Sequence, residues 1–390
     1  MVNPVYDHII AIIIICTVFI STVIVLPTLG ITNVNFKAVD QQQLRNTAIN
    51  VFNAMLLETG EPVNWGSMRP FYMNDPRVKK FGLASSEDTT FYVLDPDKVQ
   101  RLVVGNPLNY CDYNRVRELL GLHDYGFHLR IVPPFNVTFL SVSVTDNLLR
   151  YNASVFYLDG TPIPNAEAYA TVVYTKGNDY FNVSQAGPVY SNSIGVCEGT
   201  VTLAISNPDY YTVILKVTVS NVATLVVTSG RNFENKIARI NVVYDTIVLT
   251  SWKDPPDYNV PPNDNVWILN IVTFSSSGSI WYLFKGDKQG QDNKFNTGDG
   301  PFERWSQNFQ GLHDFQPVIL IFDFWAVDQI TGRGRKQVLI TTAYPDLLGT
   351  NIFEYGDLPK SGSTVVKIQR SVIISGMTYT AELWLWKESP

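Results

Sequence analysis

The residues that could do chemistry in this chain of 390 residues are four histidines, one loop dense in acidic and amide side chains, and a set of tryptophans toward the C-terminus. His8, His123, His128 and His313 are scattered, with no H-E-x-x-H and no histidine pair spaced i, i+4, so no helix presents two imidazoles to one metal. His123-Asp124 and His313-Asp314 are adjacent pairs in which a carboxylate could orient an imidazole. Neighbouring residues on a strand point to opposite faces, which favours surface histidines over catalysts. No G-x-S-x-G elbow is present for a serine nucleophile.

Gly286 to Gly300 holds Asp287, Asp292, Asn293, Asn296 and Asp299, hard oxygen donors of the kind calcium prefers. No glutamate closes the loop at its twelfth position, and the same composition builds ordinary exposed turns, so a turn is expected. Trp267, Trp281, Trp305, Trp325, Trp384 and Trp386 could stack on sugar rings, but large aromatics more often fill β-sandwich interiors. A glycan hydrolase would need two carboxylates converging in a cleft. Leu358-Pro-Lys-Ser-Gly362 has the look of a sorting signal, yet no apolar tail follows, and a turn is expected. The expectation is a non-enzyme with no catalytic, cofactor-binding or metal-binding residues.

Cys16, Cys111 and Cys197 fit no metal spacing and no disulfide framework, and free thiols are expected. A net charge of −6 without any Lys/Arg block excludes nucleic acid as a partner. With 45% hydrophobic, 13% aromatic and 16% charged residues, the chain has the balance of packed β-structure, and its length calls for more than one core.

The elements that must position these residues begin with Ile9 to Thr28, twenty uncharged, mostly branched apolar residues, long enough as a helix to cross about 30 Å of hydrocarbon. Met1 to His8 holds no Lys or Arg and no small-x-small cleavage site follows the run, so an uncleaved anchor in membrane lipid is expected at 1–30. Lys37 and Arg45 lean weakly toward a cytoplasmic C-terminal region, but a domain this large translocates largely regardless of such a bias, and an extracellular location is expected. Sequons at Asn136, Asn152 and Asn182 are compatible with that side.

Asp40 opens an amphipathic helix predicted over 40–59, with Leu44, Ala48, Val51, Phe52 and Met55 on one face and Gly60 as its stop. Residues 31–134 are expected to add a small α/β subdomain. In it Thr89 to Leu94 reads as a strand, Asp95-Pro96 as the start of a short helix, Asp112 as the cap of another, and Phe127, Leu129 and Ile131 as an alternating strand. Residues 135–229 read as an immunoglobulin-like β-sandwich and 230–390 as a second sandwich-like domain. The second includes one long strand over 238–249 and a last pair of strands around Gly376. A proline-rich loop over 253–265 interrupts it. The fold class expected is therefore mainly β, with an N-terminal transmembrane helix, a small α/β subdomain and two sandwiches.

Several segments carry a likeness: Asp40-Gln-Gln-Gln-Leu-Arg45, Thr59-Gly-Glu-Pro-Val-Asn-Trp-Gly66, Phe81-Gly-Leu-Ala84, Leu94-Asp-Pro-Asp-Lys-Val-Gln-Arg-Leu102, and Arg115 to Leu122. Together they resemble a group of archaeal membrane-anchored, pilin-like surface proteins, over roughly the first 135 residues. Arg370 to Trp386 is similar to the last hairpin of such proteins, and Asp159 to Ala166 to the first loop of immunoglobulin-like surface modules. The resemblance implies an N-terminal helix presenting β-domains outside the cell. The function expected is a structural or adhesion protein, with a filament or secretion-complex subunit as the alternative and other surface or filament proteins as partners.

Overall fold

The computed structural model describes residues 12–20, 31–86, 92–177, 180–230, 238–251, 265–296, 303–327, 332, 334–344 and 352–388. The described residues are mainly β, in five sheets. Residues 12–20 are helical and exposed. Among the described residues no helix is long and apolar enough to cross a membrane, and the rest of the Ile9 to Thr28 run lies outside them.

Helix α1 (Ile31–Leu57) begins nine residues before the position its polar pattern predicts. Leu44, Ala48, Val51, Phe52, Met55 and Leu56 recur at helical spacing and are buried, which draws one stripe of the helix onto a sheet. Gly60 ends the segment at φ 78°, a conformation that costs a residue with a Cβ. Then come β1 (Val93–Leu94), α2 (Pro96–Gln100), α3 (Tyr113–Leu119) and β2 (Tyr125–Val132). Thr89 to Phe91, expected to open β1, lie outside the described residues.

The first sandwich packs β3 (Asn136–Thr145), β4 (Leu148–Phe156) and β7 (Val196–Thr202) against a second sheet. That sheet runs in the order β6-β5-β8-β9, formed by β5 (Glu167–Lys176), β6 (Tyr180–Tyr190), β8 (Tyr210–Val219) and β9 (Val222–Gly230). Leu149, Tyr151, Ala153 and Val155 alternate inward from β4, and Ala168, Ala170, Val172 and Tyr174 answer them from β5, so this sandwich has its own core.

The second sandwich sets β10 (Ala238–Val243), β11 (Thr246–Ser251) and β15 (Glu303–Asn308) beside a larger sheet. The latter holds β12 (Asn265–Ser275), β13 (Ile280–Lys285), β14 (Lys294–Asn296), β16 (Pro317–Val327) and β17 (Gly334–Thr342), with the short α4 (Leu312–Phe315) before β16. The single strand expected over 238–249 is in fact the hairpin β10–β11. It turns at Tyr244-Asp245, with Tyr244 at φ 53°. Strand β16 is buried at nearly every position, so the period-2 signal is absent. Its side chains belong to one buried cluster that also takes in Val173, Ile214 and Leu225 of the first sandwich.

The chain then returns through β18 (Phe353–Gly356), β19 (Val365–Ile374) and β20 (Met377–Lys387). These join β1 and β2 in a sheet of order β1-β19-β20-β2-β18, and α1 lies across β19 and β20. The expected division between 31–134 and 230–390 is not the one the sheets follow. Strand β2 buries Phe127, Leu129 and Ile131, with Phe127 against Tyr113 and Tyr355, and the partners that complete its ladder come from the last part of the chain. The result is a head of helix on a sheet that is antiparallel except where β1 pairs with β19 in parallel. Phe353 pairs with Ile131, so residues 133–352 form an insertion between two adjacent strands of that head.

Candidate functional site

The densest gathering of ionisable groups lies where α2 meets the second sandwich. Asp95 caps α2, accepting the backbone N–H of Asp97 at 2.8 Å, and Pro96 sits in the first turn, where a missing N–H is tolerated. The helix is one turn long and wholly enclosed. Asp97, Lys98, Gln100 and Arg101 are each 1% exposed or less, a position charged residues take only with partners.

Those partners are built in. Lys98 Nζ donates to the Ala84 carbonyl at 2.7 Å and lies 3.7 Å from Asp95. One oxygen of Asp97 accepts from Gln100 Nε2 at 2.9 Å, and the other accepts the backbone N–H of Tyr244 at 2.8 Å. Gln100 also donates to the Val242 carbonyl at 2.8 Å and accepts from Asn241. Asp245 receives the backbone N–H groups of Gly311 and His313, and the His313 ring stacks on Tyr244 with centroids 4.7 Å apart. Arg101 turns the other way. It donates to the carbonyls of Gly66, Met68, Leu108 and Asn109 and covers the Phe71 ring at 4.3 Å.

Burial sets the electrostatics. It raises the carboxyls of Asp95 and Asp97, the latter further because Asp95 is beside it, and it raises the phenol of Tyr344. It lowers Lys98 and brings Arg101 down to about 10. Two acids, a lysine, a tyrosine and a histidine could in principle move protons. Here one Asp97 oxygen and the Gln100 amide are spent on bonds that cross from the head to the second sandwich, and the other Asp97 oxygen is held by Gln100 within the helix. Among the described residues, Asn241 Oδ1 and His313 Nδ1 are buried without a hydrogen-bond partner. The Asp97 and Gln100 bonds tie the head to the second sandwich.

The groups singled out in the sequence do not come together. His123 is exposed, and its carbonyl accepts from Arg117. His128, outside the two His-Asp pairs, is buried on β2 beside the Trp384 ring, with Nδ1 3.3 Å from the Gly356 carbonyl. His313 is half-buried. In the acidic loop, Asp287 accepts the N–H groups of Gln289 and Gly290, and the Asn293 amide donates to the Asp287 and Ile268 carbonyls. That side chain is a buried strut. Asp299 lies outside the described residues, among which no three His, Cys, Asp or Glu are placed to hold a metal.

The tryptophans are dispersed. Trp305 and Trp386 are buried, and Trp281 meets Phe315 edge-on. Lysine heads cover Trp325 and Trp267 (Lys288 and Lys294), and Arg130 and Lys367 flank Trp384. All three cysteines are free, with Cys111 and Cys197 buried. The 253–265 loop lies outside the described residues apart from Asn265, which begins β12. Sequence reasoning missed Asp97, Lys98, Gln100 and Arg101. Their only signal is four long or charged side chains within five residues, interrupted by Val99, which one helical turn cannot all direct to solvent.

No family model matches the chain, and no curated protein matches it. Among solved structures it is similar to trypsin-activated alpha-2-macroglobulin from Escherichia coli, at 12% identity and a TM-score of 0.21 over 61% of this chain and 19% of that one. A Salmonella alpha-2-macroglobulin mutant matches at 9% identity and a TM-score of 0.18, over 66% of this chain and 21% of the other. S. aureus TarS matches at 8% identity and a TM-score of 0.16, over 54% of this chain and 45% of that one. The chain thus spans about a fifth of the length of the macroglobulins and under half of TarS. Likenesses this distant carry no argument about function.

Proposed function

We propose that this chain is a non-enzymatic, membrane-anchored surface protein that holds two β-sandwiches outside the cell for a structural or adhesive role. The observation that carries the reading is the insertion of both sandwiches between two neighbouring strands of a head whose own helix starts directly after the apolar run. Such a head displays its insert at the end of two connections and keeps the helix side for the lipid. Ile12, Ile13, Ile14, Val18 and Phe19 are more than half exposed, as side chains meeting hydrocarbon would be. The buried ionisable joint supports a non-enzymatic role, because its groups are spent on holding the head to the second sandwich. The resemblance to archaeal pilin-like surface proteins agrees with a helix laid on a mostly antiparallel sheet.

Protease added to intact cells tests this. Digestion of the sandwiches, with a membrane-retained N-terminal fragment, is the expected result; protection until the membrane is broken overturns it. The second reading, a filament or secretion-complex subunit, rests on α1 extending ahead of the stripe that packs on the head. In-membrane crosslinking through the native Cys16 would give a dimer under that reading and monomer under the first.

A further inference from the structure

A cleft of about 570 Å³ opens between the outer face of the β6-β5-β8-β9 sheet and the β12–β13 hairpin. That volume falls within the roughly 300–1,000 Å³ of small-molecule sites, and two sandwiches meeting is a usual place for one. Its walls come from segments about a hundred residues apart, which is why the sequence shows no motif for it.

Four features define what it would take. Tyr169 lines the cleft with its ring 41% exposed, and its hydroxyl donates to Glu167 Oε1 at 3.0 Å, which holds the ring in place. Tyr190, the partner of Glu167 across the β5–β6 ladder, is 60% exposed. The opposite wall carries the hydroxyls of Ser275 and Ser277, 2.7 Å apart, with Ser277 bonded in turn to Ser279 behind it at 2.9 Å, groups that switch freely between donor and acceptor. The floor adds the Gln185 amide, bonded to Thr171 Oγ1 at 3.1 Å, beside apolar Ile214, Leu225 and Phe274.

The charges of Glu167 and Lys216 cancel, and Lys216 Nζ is already engaged by the Ser277 carbonyl at 2.9 Å, so the cleft has no excess charge for a phosphate or a cation. It lies on a sheet face, not at an edge, so an extended peptide has no free ladder to join. An exposed aromatic ring, a planar carboxylate, a planar amide and a row of hydroxyls suit a neutral ligand with an apolar face and many hydroxyl groups. We propose that this cleft binds a short neutral saccharide, its ring laid on Tyr169 and its hydroxyls shared between Glu167, Gln185 and the serine row.

The proposal deepens the adhesive reading and rests on it for its biological meaning, but its test does not. The full chain, solubilised in a detergent without a sugar headgroup, is applied to an array of neutral oligosaccharides, and the best ligand is titrated calorimetrically. Tyr169→Ala and Glu167→Gln alter exposed or half-exposed side chains; each is expected to weaken binding roughly tenfold, the scale of one lost stacking or charge-assisted contact. Unchanged thermal unfolding of both variants keeps the comparison interpretable. Absence of binding to every neutral glycan overturns the proposal, as does binding that neither substitution weakens. Protease protection on intact cells would overturn surface display while leaving this result as it stands.

Discussion

The carboxylate of Asp97, on the one-turn helix of the head, accepts the backbone N–H of Tyr244 in the second sandwich at 2.8 Å. With the Gln100 bond to the Val242 carbonyl, it fastens the hairpin turn of β10–β11 to a part of the chain about 145 residues earlier. Asp97→Ala leaves the Tyr244 N–H buried and unpaired and takes one of the Gln100 amide's two acceptors, at a cost of about 2–4 kcal/mol. Chemical denaturation measures that cost. Hydrogen exchange should rise together at 96–100 and 241–245, and a change confined to α2 would show that the bond does not couple the two.

Asp323 lies on β16, 3.3 Å from Lys336 and 2.9 Å from the Asn270 amide. Burial pushes its carboxyl up to about 6, against the opposing pull of Lys336. The folded state therefore holds this proton more tightly than the unfolded chain, whose carboxyl titrates near 3.9. Its contribution to stability is fully present below about pH 4 and is lost as pH rises through 6. Asp323→Asn removes that slope. Relative to wild type, the variant should gain as much as about 3 kcal/mol between pH 4 and pH 7. Denaturation midpoints that run parallel across this range would contradict the assignment.

Phe52 is fully buried under the head sheet, and Gly82 is so close to the end of α1 that a Cβ would sit 2.1 Å from the Glu58 carbonyl. Phe52→Ala should cost about 3–5 kcal/mol by leaving a cavity. Gly82→Ala should cost about 1–3 kcal/mol by forcing the loop off the helix end. Limited proteolysis should show both opening the head first, with the first sandwich and its separate core left resistant.

Val18 lies in the exposed helical stretch. Val18→Arg places a charge near the middle of the proposed anchor, which costs about 2.5–3.5 kcal/mol on insertion scales. The chain should shift from the membrane to the soluble fraction. Unchanged fractionation would sink the anchor.

Legibility in the sequence follows the physics of each element. The caps at Asp95 and Asp112, the alternation of Phe127, Leu129 and Ile131, and the period of Leu44 to Met55 all read correctly, because each is a local pattern with one buried face. Strand β6 was missed: Tyr180 to Tyr190 shows no inward alternation, being half-exposed along most of its length. The hairpin β10–β11 read as one strand because its turn is Tyr244-Asp245, without the Gly or Asn that usually marks φ > 0. Of the sites, single residues were legible and gatherings were not. The joint around Asp97 and the cleft beside Tyr169 are each assembled from segments roughly a hundred residues or more apart, and no local spacing encodes such a meeting.

The placement of the insert also sets an order of events during synthesis. Arg130 on β2 bonds Glu382 on β20, 252 residues later, so β2 leaves the ribosome long before the strand that covers it exists. At about 5–20 residues per second, that wait is roughly ten seconds or more. The first sandwich draws its strands from one contiguous stretch and can close within that interval. The apolar faces of α1 and β2 stay open until β19 and β20 arrive, which makes the nascent head, though synthesised first, the last part to fold and the part with most need of a chaperone.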